Sequence, residues 1–369
     1  MTGLTLTGEQ RLLRDSVRGL LDSHAEAGAG SQAGAGPGSQ GSEGYDEALW
    51  RRLSGETGVA GLLVPESYGG AGASLADVQV VMAELGRVLA PVPMLGSAVL
   101  ATAVLLEAGG EAARRLLPAL AGGTAIATLA WPGEAGHWDP GQAGCQAQPD
   151  AAGGWRLKGE ARYVLDGDVA DVLLVAAHAP DEVAVFEVDP AAASVHRGMV
   201  TTMDSTRRLA TVSLDGAAGR PIGCGPDGLA RARDLACLAL AAEQAGAARR
   251  ALEQTVAYTR DRVQFGRPIG SFQALQHRMA DLHVLTESAW SLCWAAAQDG
   301  DERHAAAAKA YCSEALLTVA GQMIQLHGAI GITWEHDAHR YFKRAHGSGQ
   351  LFGPPSAHLA RIAAALLDR

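Results

Sequence analysis

The sequence lacks a recognisable set of metal-ligating residues. Its five cysteines are scattered, with no metal-ligand or redox-pair spacing. His336 and His339, with Asp337 between them, match no common metal site, and a polar helix face explains them better. An odd number of isolated cysteines is typical of small buried side chains in a reducing compartment. We therefore predict no metal centre.

Long apolar runs and excess positive charge are also lacking. The Ala/Leu-rich stretch 235–242 is too short to span a membrane and carries charges on both sides, so it reads as buried helix. The first residues show no basic-then-apolar signal segment. A net charge of −10 argues against a general nucleic-acid binder, although it leaves room for a local basic pocket. We predict a cytoplasmic protein without nucleic-acid or membrane partners.

The hydrophobic periodicity predicts an α+β chain of three domains. Residues 1–122 read as an N-terminal helical domain, which opens with a capping box at Thr7 and contains a mobile Gly/Ala/Ser-rich loop at 25–44. Short alternating or β-branched segments predict a middle β domain at 123–222, a barrel or sandwich. Residues 223–369 return to helical spacing, which favours a C-terminal four-helix bundle.

The most informative stretch is 258–282, where one long helical pattern ends and another begins. Pro268 cannot continue a helix, and Gly266 permits backbone angles that other residues resist. Arginines crowd this turn, and on spacing alone they could simply complement a helix dipole. The functional interpretation is that Arg262 and Phe265 bind a phosphate-bearing ligand, with the ring packing on a flat heterocycle.

Three motifs carry a resemblance to a known family. The run Arg262-x-Gln264-Phe265-Gly266, followed by Ser271-Phe272-Gln273, closely resembles the flavin-binding turn of the acyl-CoA dehydrogenase family. Residues 61–72 (GLLVPESYGGAG) look like the family's N-terminal segment, and 325–331 (QLHGAIG) resembles its second flavin-contacting loop. The motifs occur in family order across most of the chain, which makes the resemblance specific.

The resemblance implies a helical, β, helical flavoprotein that binds FAD between its β domain and C-terminal helices. It implies dehydrogenation of an acyl thioester at a CH–CH bond, an electron-transfer flavoprotein or similar acceptor, and association as a homodimer, homotetramer or heterotetramer. Whether the acyl group is carried on CoA or on a carrier protein stays open. The residues that the resemblance assigns to the cofactor are Arg262, Phe265, Gln273, Gln325, Gly328, Gly331 and Tyr163.

The catalytic base departs from the family pattern. Family members commonly place a Glu about nine residues after the arginine that is Arg340 here, and that position is Gly349. Other members place the base on the helix before the flavin-binding turn. On that helix Glu243 is the one carboxylate between positions 234 and 253, on a small apolar surface where desolvation would strengthen a base. The alternative is that Glu243 makes an ion pair, for instance with Arg249 or Arg250.

Two rival functions remain open on the same fold. The β domain has Ala130-Trp131-Pro132 and Tyr163-Val164-Leu165 where the family has flavin-contacting motifs, so contacts on the ring side differ. Together with Gly349, this difference suits a non-catalytic partner subunit of a heteromeric acyl-CoA dehydrogenase. A flavin-dependent monooxygenase or oxidase is the second rival. We predict Glu243 as the base of a dehydrogenase.

Overall fold

A computed structural model describes residues 5–31, 45–151 and 153–367, which form two compact units. The helical unit comprises Met1–Arg14, Gln79–Ala90 and Cys237–Arg369. The mixed unit comprises Asp15–Val78 and Pro91–Ala236.

Helices occupy both ends of the chain. The α-helices are α1 (Gly8–Ser31), α2 (Glu47–Arg52), α3 (Leu75–Arg87), α4 (Thr102–Ala108), α5 (Gly110–Ala121), α6 (Pro226–Asp261), α7 (Gln273–Asp299), α8 (Glu302–His327), α9 (Ala338–Gln350) and α10 (Pro355–Leu367). Shorter 3-10 or π turns occupy Leu53–Thr57, Val59–Gly61, Glu66–Tyr68, Met94–Ala101, Ile269–Ser271 and Gly328–Ile332.

The start of α1 follows the predicted capping box. The amide of Gln10 donates to Thr7 Oγ1 (3.2 Å), and the amide of Thr7 donates to Gln10 Oε1 (3.0 Å). The mobile loop predicted at 25–44 is wrong at its beginning, because α1 continues to Ser31. Glu and Ala are strong helix formers and outweigh the intervening glycines there. Residues 32–44 lie outside the described part of the chain.

The β region lies in the mixed unit. Its strands are β1 (Ala127–Ala130), β2 (Cys145–Pro149), β3 (Trp155–Leu165), β4 (Val172–His178), β5 (Val183–Val188), β6 (Val195–Met199) and β7 (Leu209–Pro221). The pairings β2–β3, β3–β7, β7–β5, β5–β4 and β4–β2 close five strands into a ring, with β1 added beside β4 and β6 beside β7. Buried residues such as Leu157, Val175 and Phe186 fill it. The predicted barrel is therefore confirmed.

The helical unit contains α7 to α10, α6 from Cys237 onward and α3 from Gln79 onward, around an Ala/Leu-rich core. Leu316, Val319 and Met323 of α8 pack in one cluster with Ala248 of α6 and Tyr341 of α9. Helix α9 was missed as a separate element, because its sequence, AHRYFKRAHGSGQ, is rich in polar residues and glycine. Its buried positions nevertheless follow helical spacing, at Ala338, Tyr341, Arg344, Ala345 and Ser348.

One helical stretch tests the expectation that no apolar run reaches membrane-spanning length. Glu302–Ile332 meets that length and hydropathy, with 44% of its apolar window buried, and it corrects the expectation. Lys309 and Ser313 are buried on this helix and hydrogen-bond to one another. We interpret α8 as a core helix, because its buried face carries a lysine and a serine that find partners inside the helical unit.

Helices α3 and α6 cross at contact distance within the helical unit. A Cβ atom added to Gly86 would lie 2.0 Å from the carbonyl oxygen of Glu243, and one added to Gly246 would lie 2.0 Å from that of Ala83. No Cβ atom fits at such distances. This reciprocal glycine contact fixes the backbone of α6 at Glu243.

Candidate active site

The turn after α6 is a short hairpin. Val263–Gln264 (β8) pairs with Arg267–Pro268 (β9), and the two residues between them, Phe265 and Gly266, have φ of +54° and +78°. Positive φ at both central residues defines a type I′ hairpin, which matches the twist of the two strands. The amide of Ile269 donates to the carbonyl of Arg262 (2.8 Å) and closes the base of the hairpin. The predicted reversal at this point is confirmed.

The side chains that the sequence predicts to bind the cofactor at this turn are exposed to solvent. Phe265 is 91% exposed, although it is a non-glycine residue held at positive φ. Backbone strain of this kind is concentrated at ligand and partner sites. Arg267 is engaged, since its guanidinium lies 4.0 Å from the centre of the Phe272 ring. In the part of the chain that the structure describes, the exposed side chains of Arg262 and Gln273 have no hydrogen-bond or ion-pair partner.

The second predicted cofactor segment follows α8. Gln325 is exposed. Gly328 and Gly331 instead determine the path of the backbone. Gly328 has φ +65° and ends the helix, with its amide donating to the carbonyl of Ile324. Gly331 is buried, and a Cβ atom there would lie 3.1 Å from the same carbonyl oxygen. The Gly328 amide therefore already has an acceptor at the end of its own helix.

Two aromatic rings join the segments around 262 and 328. Tyr258, near the end of α6, stacks on His327 with ring centroids 4.3 Å apart. Its hydroxyl donates to the backbone carbonyl of His327 (3.2 Å). His336 lies against His327, with 4.4 Å between ring centroids. Tyr258 and His327 are 69 positions apart in sequence, so their contact joins the end of α6, just before the hairpin, to the end of α8, just before its loop.

Glu243 lies in a buried ion pair. Arg344 Nη1 of α9 is 2.7 Å from Glu243 Oε1, and the two side chains are only 3% and 7% exposed. Sequence spacing had suggested Arg249 or Arg250 as partners, but these pair with Glu287 and Glu253 instead. The guanidinium of Arg344 stabilises the ionised carboxylate, which is the form that can accept a proton.

A second buried polar group adjoins this pair. Gln244 Nε2 donates to Ser313 Oγ (3.1 Å) and Ser348 Oγ (3.2 Å). Lys309 Nζ donates to Ser313 Oγ and to the carbonyl of Gly349, each at 3.0 Å. Gly349 itself is buried on α9, and a Cβ atom there would meet nothing within 4 Å. The position that the resemblance left without a carboxylate therefore has room for a Cβ atom.

Tyr163 belongs to the mixed unit. It lies at a register shift between β3 and β7, has φ +58° and is 40% exposed. Its ring lies close to Gly136, where an added Cβ atom would be 3.2 Å from Tyr163 Cε2. The neighbouring Trp131 is buried, packs edge-on against Trp138 and donates from Nε1 to the carbonyl of Gln142 (2.8 Å). Among the described residues, no group of three or more His, Cys, Asp or Glu could hold a metal ion.

Comparison with known proteins decides the family. Residues 7–124 match the acyl-CoA dehydrogenase N-terminal domain, and residues 232–367 match the acyl-CoA dehydrogenase C-terminal domain. The chain belongs to the acyl-CoA dehydrogenase family. Members of this family are oxidoreductases that act on CH–CH groups.

Individual relatives agree with this family membership. The chain is 41% identical to acyl-CoA dehydrogenase IpdE2 of Mycolicibacterium smegmatis over 97% of its own length and 99% of that protein. It resembles a chain in the crystal structure of the ChsE4-ChsE5 complex from Mycobacterium tuberculosis, with 30% identity and a TM-score of 0.88. The match covers 99% of this protein and 99% of that chain. It also resembles a variant of the Tcur3481-Tcur3483 steroid ACAD (34% identity, TM-score 0.86, 99% of both chains). The acyl-CoA dehydrogenase fold is thus confirmed.

Sequence reasoning missed three features of this acyl-CoA dehydrogenase chain. Arg344, Lys309 and the Tyr258–His327 stack all depend on contacts between distant helices. For Arg344 a signal existed, because it shares the inward spacing of Tyr341 and Ser348 on α9. For the stack there was no comparable signal in the local pattern.

Proposed function

We propose that this chain carries out FAD-dependent α,β-dehydrogenation of an acyl thioester, on CoA or on a carrier protein, to the 2,3-enoyl thioester. One observation carries the proposal beyond family membership: Arg262 and Phe265 are both exposed at the hairpin, where Phe265 has positive φ and its ring meets Phe272 edge-on while remaining 91% exposed. When bound, FAD would accept the hydride that leaves the β-carbon.

The exposed residues fit this cofactor. The planar guanidinium of Arg262 suits phosphate oxygens, and the ring of Phe265 offers a flat apolar face. Gln273 and Gln325 add amide donors and acceptors. Gly328 and Gly331 shape the loop that carries Gln325. Tyr163 is the residue of the mixed unit that we assign to the flavin ring, because its strained backbone presents a half-exposed aromatic face.

We assign Glu243 as the base that removes the α-proton of the thioester. Arg344 keeps the carboxylate ionised, and the glycine contact at Gly86 fixes the backbone beneath it. A base must come within hydrogen-bond reach of the proton that it removes. Because the Glu243 side chain is only 7% exposed, its carboxylate must turn towards the substrate while Arg344 stays close enough to hold its charge.

The test compares Glu243→Gln with Glu253→Gln, a matched change on the same helix at a side chain that is 43% exposed. Each flavin-loaded protein is mixed anaerobically with acyl-CoA, and flavin bleaching is followed. We expect Glu243→Gln to retain the flavin spectrum and to bleach about 10²- to 10⁴-fold more slowly, whereas Glu253→Gln stays near the unchanged protein. Equal bleaching rates for all three proteins would remove Glu243 as the base.

A non-catalytic partner subunit is the second candidate. The observation that favours it is the burial of Glu243 in an ion pair, which is also what a purely structural carboxylate would show. Two of the similar solved structures, ChsE4-ChsE5 and Tcur3481-Tcur3483, carry two names each. In this case the chain alone would not bleach with acyl-CoA, a complex with a second family subunit would, and Glu243→Gln in that complex would have no effect.

Three further assignments go with the proposed dehydrogenase. We propose a cytoplasmic homodimer, homotetramer or heterotetramer that passes electrons to an electron-transfer flavoprotein or a similar acceptor. We also propose domain boundaries at 122/123 and 222/223. Native mass spectrometry measures the oligomeric state. Oxygen consumption by the reduced protein tests the acceptor, because rapid consumption would favour the oxidase or monooxygenase alternative.

A further inference from the structure

The ring pair formed by Tyr258 and His327 connects two segments that the proposed function assigns to one cofactor. Tyr258 lies one helical turn before Arg262, whose amide donates to the Tyr258 carbonyl (2.9 Å). His327 lies between Gln325 and the start of the loop at Gly328. A movement of either ring is therefore passed directly to a residue assigned to FAD.

His327 is held in one tautomer. Its Nδ1 is 2.7 Å from the carbonyl oxygen of Met323, so this nitrogen carries the proton and donates. Burial lowers the pKa of His327, which keeps the ring neutral near pH 7. Its Nε2 is buried and, among the described residues, has no hydrogen-bond partner. The ring is thus fixed by its own helix and presents its faces to Tyr258 and His336.

The contacts of Tyr258 are of two kinds. Its ring stacks on His327 at 4.3 Å with 24° between planes, and its hydroxyl donates to the carbonyl of the same residue. That carbonyl is one of the last in α8, where acceptors have no partner within the helix. Tyr258 therefore supplies a hydrogen-bond donor to the last turn of α8. The same contact fixes the position of the end of α6.

We propose that Tyr258 and His327 are positioning residues that hold the 262–266 hairpin and the 325–331 loop in a fixed position relative to each other, so that both can bind FAD. The inference rests on the proposed cofactor role of those two segments. Binding at two separately mobile segments requires both to be ordered on association, which weakens affinity. The stacked pair orders them beforehand.

The experiment measures the dissociation constant of FAD for the full-length protein, by flavin fluorescence quenching at constant pH. We expect His327→Leu and Tyr258→Leu each to weaken binding about tenfold, and the double variant to be little weaker than either single variant. His327→Phe keeps a stacking ring and should restore affinity to within about twofold of the original. Tyr258→Phe keeps the ring but loses the hydroxyl, and an intermediate loss of about fivefold is expected.

Tyr311→Leu is the matched control, because it removes a ring from the same helix α8 without touching this pair. Its affinity should equal that of the original protein. Equal affinities for His327→Leu and Tyr311→Leu would overturn the inference, as would independent, multiplicative losses in the double variant. Failure of the original protein to bind FAD would instead refute the proposed function, and the positioning role with it. If His327→Leu does not fold, the comparison of Tyr258→Phe with Tyr311→Phe decides the question.

Discussion

Lys309 should make the stability of this protein depend on pH in an unusual direction. Its side chain has no exposed surface, and its ammonium group donates to Ser313 Oγ and to the carbonyls of Gly349 and Gly353 at 3.0 to 3.1 Å. These acceptors are all neutral, and no carboxylate forms an ion pair with Lys309 in the described part of the chain. Burial accordingly lowers the pKa of Lys309 from 10.5 to about 8.

The sign follows from proton binding. Below pH 8 the lysine is protonated in both states, and the folded protein bears the whole cost of the buried charge. That cost is about 3 kcal/mol for a pKa difference of this size. Between pH 8 and 10.5 the unfolded chain binds more protons than the folded one, so this lysine's contribution to stability rises with pH. Above that window the cost is gone.

The measurement is urea unfolding of the original protein and of Lys309→Met at several pH values, followed by the helical circular dichroism signal. The difference in unfolding free energy between the two proteins isolates the lysine from all other titrating groups. We expect the unfolding free energy of the original protein, relative to that of Lys309→Met, to rise by about 2 kcal/mol between pH 7 and pH 9.5.

Lys158→Met is the control, because Lys158 is 78% exposed. The difference in unfolding free energy between the original protein and Lys158→Met should stay constant over this pH range. A difference for Lys309→Met that also stays constant would refute the reasoning. It would mean that the three hydrogen bonds keep Lys309 protonated as firmly as water does.

Two further predictions concern the same helices. Arg344→Met leaves the Glu243 carboxylate buried without its guanidinium, and we expect a loss of about 3 to 5 kcal/mol by urea unfolding; adding Glu243→Gln should recover part of it, and equal losses for the single and double variants would contradict the pairing. Gly86→Ala forces a Cβ atom to 2.0 Å from the carbonyl oxygen of Glu243 and should lower the melting temperature. Gly349→Ala places its Cβ atom in open space on a helix and should raise the free energy of unfolding by about 0.5 to 1 kcal/mol. Similar effects for the two alanines would argue against the close crossing of α3 and α6.

The chain reversal after α6 was predictable because its signal is local. Pro268 cannot continue a helix and Gly266 permits positive φ, so a reversal was predicted there, whereas the two-stranded hairpin of 263–268 was not. The capping box at Thr7 is local in the same way. The β barrel was also predictable as a region, since strands alternate with a period of two whatever their partners are. Strand order was not, because it depends on pairings between segments far apart in sequence.

The partner of Glu243 could not be predicted from spacing. Arg249 and Arg250 are closer in sequence, but they lie roughly 9 to 11 Å further along the axis of α6 than Glu243. They pair with Glu287 and Glu253 instead. Arg344 is 101 positions away and reaches Glu243 only because α9 packs in the same unit. That helix was itself hidden, since its apolar positions are few and its inward face includes an arginine and a serine.

The Glu243–Arg344 pair is where the two proposed functions diverge. An ion pair that is nearly fully buried stabilises a carboxylate against proton uptake, so a base in this position works only if substrate binding loosens its hold. If Glu243 is the base, Arg344→Lys keeps the charge but loses the guanidinium geometry around the carboxylate, so the rate of bleaching with acyl-CoA should change. In a non-catalytic subunit the same substitution would change stability alone. Measuring bleaching and unfolding on this one variant therefore separates a carboxylate that works as a base from one that only holds two helices together.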